Sequence, residues 1–262
     1  MYKYKITLEY DGTGYRGWQT QKNARSIQGT LLEAAIKILG KDIDLQGAGR
    51  TDAGVHALAQ VAHIAAARKL KPQQLLEGMN DLLPASINIR KVETAPGDFH
   101  ARHHAKIRSY LYLISKHRTA FGKRYVWWIK DTLNVDSMLT TIKLFRGFHD
   151  FASFADKRLD KNESTLVNLS ATELYEFNDL ISLRIVGSHF LWKMVRRMVG
   201  ITVEVGRGNM RPSAVQEMLT SLSDLPAKYT APPSGLFLEQ VLYEGENQTP
   251  LELPPLPLLL AR

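Results

Sequence analysis

The feature that most constrains the fold is a supersecondary order written twice along the chain. In the first half, Tyr4, Ile6, Leu8 and Tyr10 alternate with Lys5, Thr7 and Glu9, the period of a half-buried strand. Asp11-Gly12-Thr13-Gly14 interrupts it. Ser26 then stands as the N-cap of a helix carrying Ile27, Leu31, Leu32, Ala35, Ile36 and Leu39, stopped by Gly40. Strand-like segments at 43–47 and 59–65, a helix at about 72–83 and a strand at 87–93 complete a β-α-β-β-α-β series, the ferredoxin-like split motif. After Pro96-Gly97 the order resumes with strands at 107–115 and 125–129 and a helix carrying Val135, Met138, Leu139, Ile142 and Phe145. Strands at 168–176 and 180–187 flank Asn178-Asp179, and helices at about 190–206 and 212–221 lead to a last strand at 236–243. The reading is α+β: two ferredoxin-like halves, 1–104 and 105–245, with mainly antiparallel sheets meeting at a central basic cleft. A Pro-rich tail follows at 246–262, where Pro250, Pro254, Pro255 and Pro257 continue neither helix nor central strand.

Charge points to a polyanionic partner. Lys and Arg outnumber Asp and Glu by 34 to 26, a net of +8. From Phe99 to Lys130 there are eight cations (Arg102, Lys106, Arg108, Lys116, Arg118, Lys123, Arg124 and Lys130) and no acid. Tyr110, Tyr112, Phe121, Tyr125, Trp127 and Trp128 interleave with them, a composition suited to tracking phosphates and stacking bases. The absence of cysteine excludes disulfides, thiolate nucleophiles and Cys-type zinc sites. No run approaches the roughly 18 apolar residues of a membrane span, and the N-terminus lacks an apolar signal core, so a cytoplasmic home is expected. Neither Asp52, His56 and His63 nor His100, His103 and His104 show a recognisable ligand spacing, so no metal is expected.

The densest local signal is Ala48-Gly49-Arg50-Thr51-Asp52-Ala53-Gly54-Val55-His56. Its glycines open backbone angles closed to other residues and let a large ligand approach the main chain. Arg50 offers a planar, permanently charged fork to phosphate. By itself, an aspartate in a Gly-bounded loop is ordinarily a turn former. Further blocks accompany it: Leu8-Glu9-Tyr10-Asp11-Gly12-Thr13 with Gly17-Trp18-Gln19-Thr20-Gln21; Asp98-Phe99-His100-Ala101-Arg102 followed by Tyr110; Phe148-His149-Asp150-Phe151-Ala152-Ser153-Phe154; Phe190 to Gly200; and Thr230-Ala231-Pro232-Pro233-Ser234-Gly235-Leu236-Phe237-Leu238. In this order they resemble the tRNA pseudouridine synthase A family over roughly residues 4–243.

The resemblance implies a homodimer that isomerises uridines 38, 39 and 40 of the tRNA anticodon arm to pseudouridine. It makes Asp52 the catalytic carboxylate, Arg196 its ion-pair partner and Tyr110 the residue that stacks on the target uracil. Arg50 would occupy the space left by the flipped base and contact the RNA backbone. Thr51 and Arg102 join Arg50 and Tyr110 as expected RNA-binding positions, with Thr51 and His56 shaping the loop more than reacting. The isomerisation needs no redox change, phosphoryl transfer or hydrolysis, so no cofactor is expected, and one carboxylate can act as nucleophile or base. Attack at C1′, addition at C6 and removal of the C2′ proton all remain open to it. The base must first leave its stack. A non-catalytic RNA-binding protein of the same fold is the alternative reading. Two positions depart from the family pattern. Glu163-Ser164-Thr165-Leu166-Val167-Asn168 lacks the arginine that many members carry there, and Ser109 stands where a second basic residue can occur.

Overall fold

A computed structural model describes residues 1–118, 120, 122–158 and 164–250. In chain order its strands and helices are β1 (Tyr2–Tyr10), α1 (Ile27–Leu39), β2 (Ile43–Gly47), β3 (His56–Ala66), α2 (Pro72–Leu82), β4 (Ile87–Thr94), β5 (Ile107–Ser115) and β6 (Trp127–Trp128). There follow α3 (Val135–Leu144), β7 (Gly147–Asp150), β8 (Leu166–Phe177), β9 (Leu180–Gly187), α4 (Met194–Gly206), α5 (Ser213–Thr220), α6 (Leu225–Lys228) and β10 (Leu236–Leu242). The class is mixed α+β with mostly antiparallel pairing. Among the described residues, no helix is long and apolar enough to cross a membrane. The chain divides into two compact units, one of Met1–Lys106 with Phe237–Gln248, the other built mainly on Ile107–Leu236.

In the first unit the alternation of β1 buries Tyr4, Ile6, Leu8 and Tyr10, which drives the strand into the centre of a sheet. β1 pairs antiparallel with β3 on one side and β4 on the other, and β2 pairs antiparallel with β3. The strand order is β4-β1-β3-β2. Helix α1 starts where the Ser26 hydroxyl accepts the Gly29 N–H at 3.1 Å and ends at Gly40, whose φ of +100° suits glycine. Its buried stripe is Ile27, Leu31, Ala34, Ala35 and Leu39; Ile36 of the expected set faces outward. β10 joins β3 in parallel, with Phe237 opposite His56 and Leu238 opposite Ala57. The last strand, expected in the second half, therefore belongs to the first unit. Chain order does not reveal such a long-range main-chain pairing.

In the second unit β9 pairs antiparallel with β5 and β8, β7 adds to β8, and β6 lies parallel to β5. Met138 and Ile142 of α3 are fully buried, as are Met198 and Val199 of α4, and Phe145, just past α3, packs its ring with those of Phe151 and Phe154. The strand expected at 125–129 shrinks to two residues, and β7 was not foreseen. The helix expected from 190 begins at Met194, because Lys193 holds φ 63°, a left-handed conformation that no helix continues through.

Candidate active site

Residues 49–56 rest against the segment between β1 and α1, and two of that segment's glycines, Gly12 and Gly17, have a steric reason. A Cβ on Gly12 would collide with the Val55 carbonyl oxygen, and one on Gly17 would sit 2.5 Å from the Thr51 oxygen and 3.2 Å from the Ala53 nitrogen. The two main chains touch, which only a bare α-carbon allows. Trp18 N–H donates to the Thr51 carbonyl at 3.0 Å, and the Tyr10 and Thr51 hydroxyls bond at 2.8 Å. Thr51 is therefore buried, with its hydroxyl engaged inside the protein. From β3 the fully buried Gln60 donates its amide to the Gly49 carbonyl at 2.9 Å. Asp52 closes a turn through its carbonyl, which accepts the Val55 N–H at 3.1 Å, with Gly54 at φ +77°. A Cβ on Gly49, by contrast, would meet nothing within 4 Å.

His56 anchors the far end of the loop. Its ring stacks on Phe237 at 4.8 Å between centroids, and its Nδ1 lies 3.1 Å from the Gly12 nitrogen and 3.2 Å from Asp11 Oδ1, able to serve one of the two at a time. Burial works against ionisation of Asp11, but bonds from His56 and Thr13 outweigh it and hold the carboxyl well below the usual range. His63 is buried too: its Nδ1 accepts the Ala101 N–H at 3.1 Å, and its Nε2 lies 3.2 Å from Asp44 Oδ2. These histidines act as structural hydrogen-bonding groups. Among the described residues, no group of three or more His, Cys, Asp or Glu is placed to hold a metal.

Tyr110 and Arg196 belong to the second unit, Asp52 and Arg102 to the first. Tyr110 is buried on β5 with its ring edge-to-face with Phe190 at 4.9 Å. Its neighbour on the same face, Tyr112, spends its hydroxyl on the Pro232 carbonyl at 2.8 Å. Burial pushes the Tyr112 phenol well up, against the opposing charge of Arg196. The next carbonyl back, that of Ala231, accepts Arg196 Nε at 2.7 Å, and Ala231 N–H donates to the Arg196 carbonyl at 3.0 Å. Residues 231–232 thus clamp both β5 and α4. A Cβ on Gly200 would collide with the Tyr229 carbonyl, so the helix lies directly on this segment.

The start of α4 is held by charge, which the sequence did not disclose. Asp156, with its side chain 8% exposed, receives Lys193 Nζ at 2.8 Å, Arg158 Nε at 2.9 Å and Arg197 Nη2 at 3.9 Å. The Arg158 hydrogen bond, assisted by Lys193, holds its carboxyl far below the ordinary range despite burial. Arg197 also donates to the Ala155 carbonyl. Gln60 was missed as well; a lone glutamine among the apolar residues of β3 was its only signal.

The basic stretch is less uniform in space than in sequence. Lys106 pairs with Glu244 at 3.5 Å, Lys116 with Glu176 at 2.6 Å, and Arg108 donates to the Ser188 carbonyl at 2.9 Å. Lys123, Arg124 and Tyr125 line an open hollow of about 630 Å³ with Ser234. Of the departures from the family pattern, Ser109 is buried with Arg184 Nε 3.4 Å from its hydroxyl, and Val167 is a core residue of β8. Glu163, Phe121 and the tail beyond Pro250 lie outside the described residues.

Comparison with known proteins agrees with this arrangement. A family model described as tRNA pseudouridine synthase matches residues 6–104 and 141–244. The chain is 38% identical over 246 residues to the tRNA pseudouridine synthase A of Ruminiclostridium cellulolyticum, covering 93% of this chain and 100% of that one. It is 38% identical over 254 residues to that of Thermodesulfovibrio yellowstonii, with 93% and 100% covered, and 36% identical over 244 residues to that of Aquifex aeolicus, with 92% and 100% covered. A solved Cbf5-Nop10-Gar1 complex aligns at 13% identity and a TM-score of 0.34 over 76% of this chain and 54% of that one, too distant to carry an argument. The matched blocks and their seating define a pseudouridine-forming class of enzyme. The chain belongs to the tRNA pseudouridine synthase family.

Proposed function

We propose that the protein isomerises uridine to pseudouridine in tRNA, at positions 38, 39 and 40 of the anticodon arm. Family membership makes it an isomerase; the positions are those of the synthase A relatives it resembles. The reaction breaks the bond between ribose C1′ and uracil N1, turns the base and joins C5 to C1′. The C5 proton is lost and N1 gains one, so atoms balance without a co-reactant. Asp52 is the catalytic carboxylate. Arg196 holds it ionised in the company of RNA phosphates. Tyr110 stacks on the uracil with its hydroxyl near C5. Arg50 and Arg102 grip the RNA backbone, and Thr51 serves through the loop that it ties to Tyr10. The two halves are ferredoxin-like, a reading supported by the β4-β1-β3-β2 order of the first, and a basic cleft between them receives the anticodon arm. The protein works as a cytoplasmic homodimer.

The observation that carries this reading is the seat of Asp52: a loop held by its own main chain, with open space at Gly49 where RNA can approach. Asp52→Asn tests it, since the change keeps shape and removes charge. On a tRNA transcript carrying uridine at 38–40, the wild type should form pseudouridine at those sites. The variant should bind the same tRNA within about threefold and turn over more than 1,000-fold more slowly, in the range for loss of a nucleophile or general base. Turnover within tenfold of wild type would remove Asp52 from the chemistry. Binding without turnover by the wild type would favour the RNA-binding alternative.

A further inference from the structure

Arg50 is exposed, yet it does not hang loose. Its Nε–H donates to Gln19 Oε1 at 3.1 Å. Gln19 Nε2 in turn donates to Gln28 Oε1 at 2.8 Å, and Gln28 Nε2 donates to the Leu45 carbonyl at 2.8 Å. The polarity of this chain is dictated from its inner end. Leu45 can only accept there, so Gln28 must turn its NH₂ toward strand β2. The Thr20 N–H, 3.0 Å from Gln28 Oε1, can only donate and demands the same orientation. Gln28 therefore offers oxygen to Gln19, Gln19 offers its NH₂ inward, and its oxygen is left facing Arg50. Gln28 is itself fixed at the start of α1, where its N–H bonds the Trp18 carbonyl at 2.9 Å. Two main-chain groups thus set, through two amides, the one acceptor that Arg50 Nε meets.

We propose that Gln19 and Gln28 are positioning residues for Arg50. They hold the guanidinium by Nε so that its two terminal nitrogens project outward as a pre-aimed fork for RNA phosphate. The proposal rests on the reading of Arg50 as an RNA contact. Anchoring by Nε alone suits that task, because a phosphate can be met bidentately by the terminal nitrogens of a planar fork. Neutral glutamines hold the arginine without cancelling its charge, which an acidic residue in the same place would do. The ordering of a long side chain is then settled before RNA arrives rather than during binding.

The test is a double-mutant cycle on tRNA turnover. Gln19→Met keeps length and removes the acceptor. It should raise KM for tRNA roughly 2- to 12-fold, the equivalent of ordering one rotamer-rich side chain, with kcat within twofold. Gln28→Met should act in the same direction and less. In an Arg50→Ala background Gln19→Met should add less than twofold, because the residue it positions is gone. An equal KM penalty in that background, or no KM change in the Arg50 protein, overturns the proposal. Exchange of the Arg50 Nε–H, followed by NMR on the unaltered free protein, gives a reading that no folding defect can confuse. Protection above that of Arg118 is expected, and equal exchange overturns the relay. A wild type that forms no pseudouridine would instead defeat the functional reading, while a working wild type with an unmoved KM defeats the relay alone.

Discussion

The loop that carries Asp52 and the helix that carries Arg196 each make a main-chain contact through a bare α-carbon, but the forces around that contact differ. Gly12 lies under Val55 in the first unit, and Gly200 lies under Tyr229 in the second. Around the loop, neutral hydrogen bonds from Tyr10, Trp18 and Gln60 complete the seat. At the start of α4 three cations converge on the near-buried Asp156. Apart from the His56–Asp11 contact at its far end, the loop is placed by shape, and the helix by a cluster of charges as well as shape. Steric placement holds across pH and salt. Ionic placement is strong only while the carboxylate is charged, and removing one partner strands the others.

The largest effects should come from filling the bare α-carbons. Gly12→Ala and Gly200→Ala both drive a methyl into a main-chain carbonyl, a case of overpacking that costs about 3 kcal/mol or more. Thermal unfolding of either variant should fall by about 6–12 °C, and pseudouridine formation should drop with it. A variant with an unchanged melting temperature would show that its contact is slack and break the parallel between the two regions.

Asp156→Ala should separate them. It leaves the buried Arg197 and half-buried Lys193 uncompensated, at about 3 kcal/mol. Because its folded pKa is depressed, the stability that Asp156 contributes is fully present above the ordinary aspartate pKa of about 3.9. It fades as pH falls below that value. Wild type and Asp156→Ala should therefore differ by a constant amount from pH 5 to 8 in urea unfolding, and converge below about pH 4. A gap that widened with acid would refute the ionic account.

RNA binding extends the comparison to the basic stretch. Lys123→Gln and Lys130→Gln together should flatten the plot of log K for tRNA against log salt by about 1.4 to 1.8, at about 0.7–0.9 per phosphate contact. Lys106→Gln with Lys116→Gln should flatten it by less than 1, since Glu244 and Glu176 already engage those cations. Equal changes would mean that the two ion pairs open on binding.

The smallest effect lies in the turn that carries Arg102. His100 Nδ1 accepts the N–H groups of Arg102 and His103 at 3.2 and 3.4 Å. Burial, then the charges of His103 and His63, lower the pKa of His100, while Asp44 opposes them. A lowered histidine pKa favours the neutral form in the folded state. Its contribution is present above the unfolded value of about 6.5 and declines as pH falls through the folded one. Hydrogen exchange of residues 101–104, corrected for intrinsic rates, should loosen modestly from pH 7.5 to 5.5 while residues 194–198 stay unchanged. Parallel loosening of both would assign the effect to the whole molecule.

Much of this was legible because it is local. The alternation at Tyr4–Tyr10, the Ser26 cap and the Gly40 stop each express a single-residue preference, and the structure repeats them within a residue or two. What escaped depended on partners far away in the chain. Nothing around Asp156 announces that Lys193 and Arg197 will meet it, and nothing around Lys106 announces Glu244. The late start of α4 escaped because a left-handed lysine is a tertiary outcome, held by an ion pair that offsets its backbone cost. The Asp52 loop was plain as a motif, whereas its support by Gln60 and the bare Gly12 required the fold.

The parallel pairing of Phe237 with His56 has a temporal consequence. A ribosome releases residues 1–106 long before it has made 237–248, yet the sheet under the Asp52 loop waits for that last strand, and His56 waits for its stacking partner. At about 5–20 residues per second, the intervening stretch takes roughly 7–26 s to synthesise. The nascent first unit spends that interval with one segment of β3 unpaired, while the second unit acquires every strand of its own. Maturation of the Asp52 loop is thereby deferred to the end of translation, and a message truncated before codon 237 would yield a chain whose damage lies near its beginning.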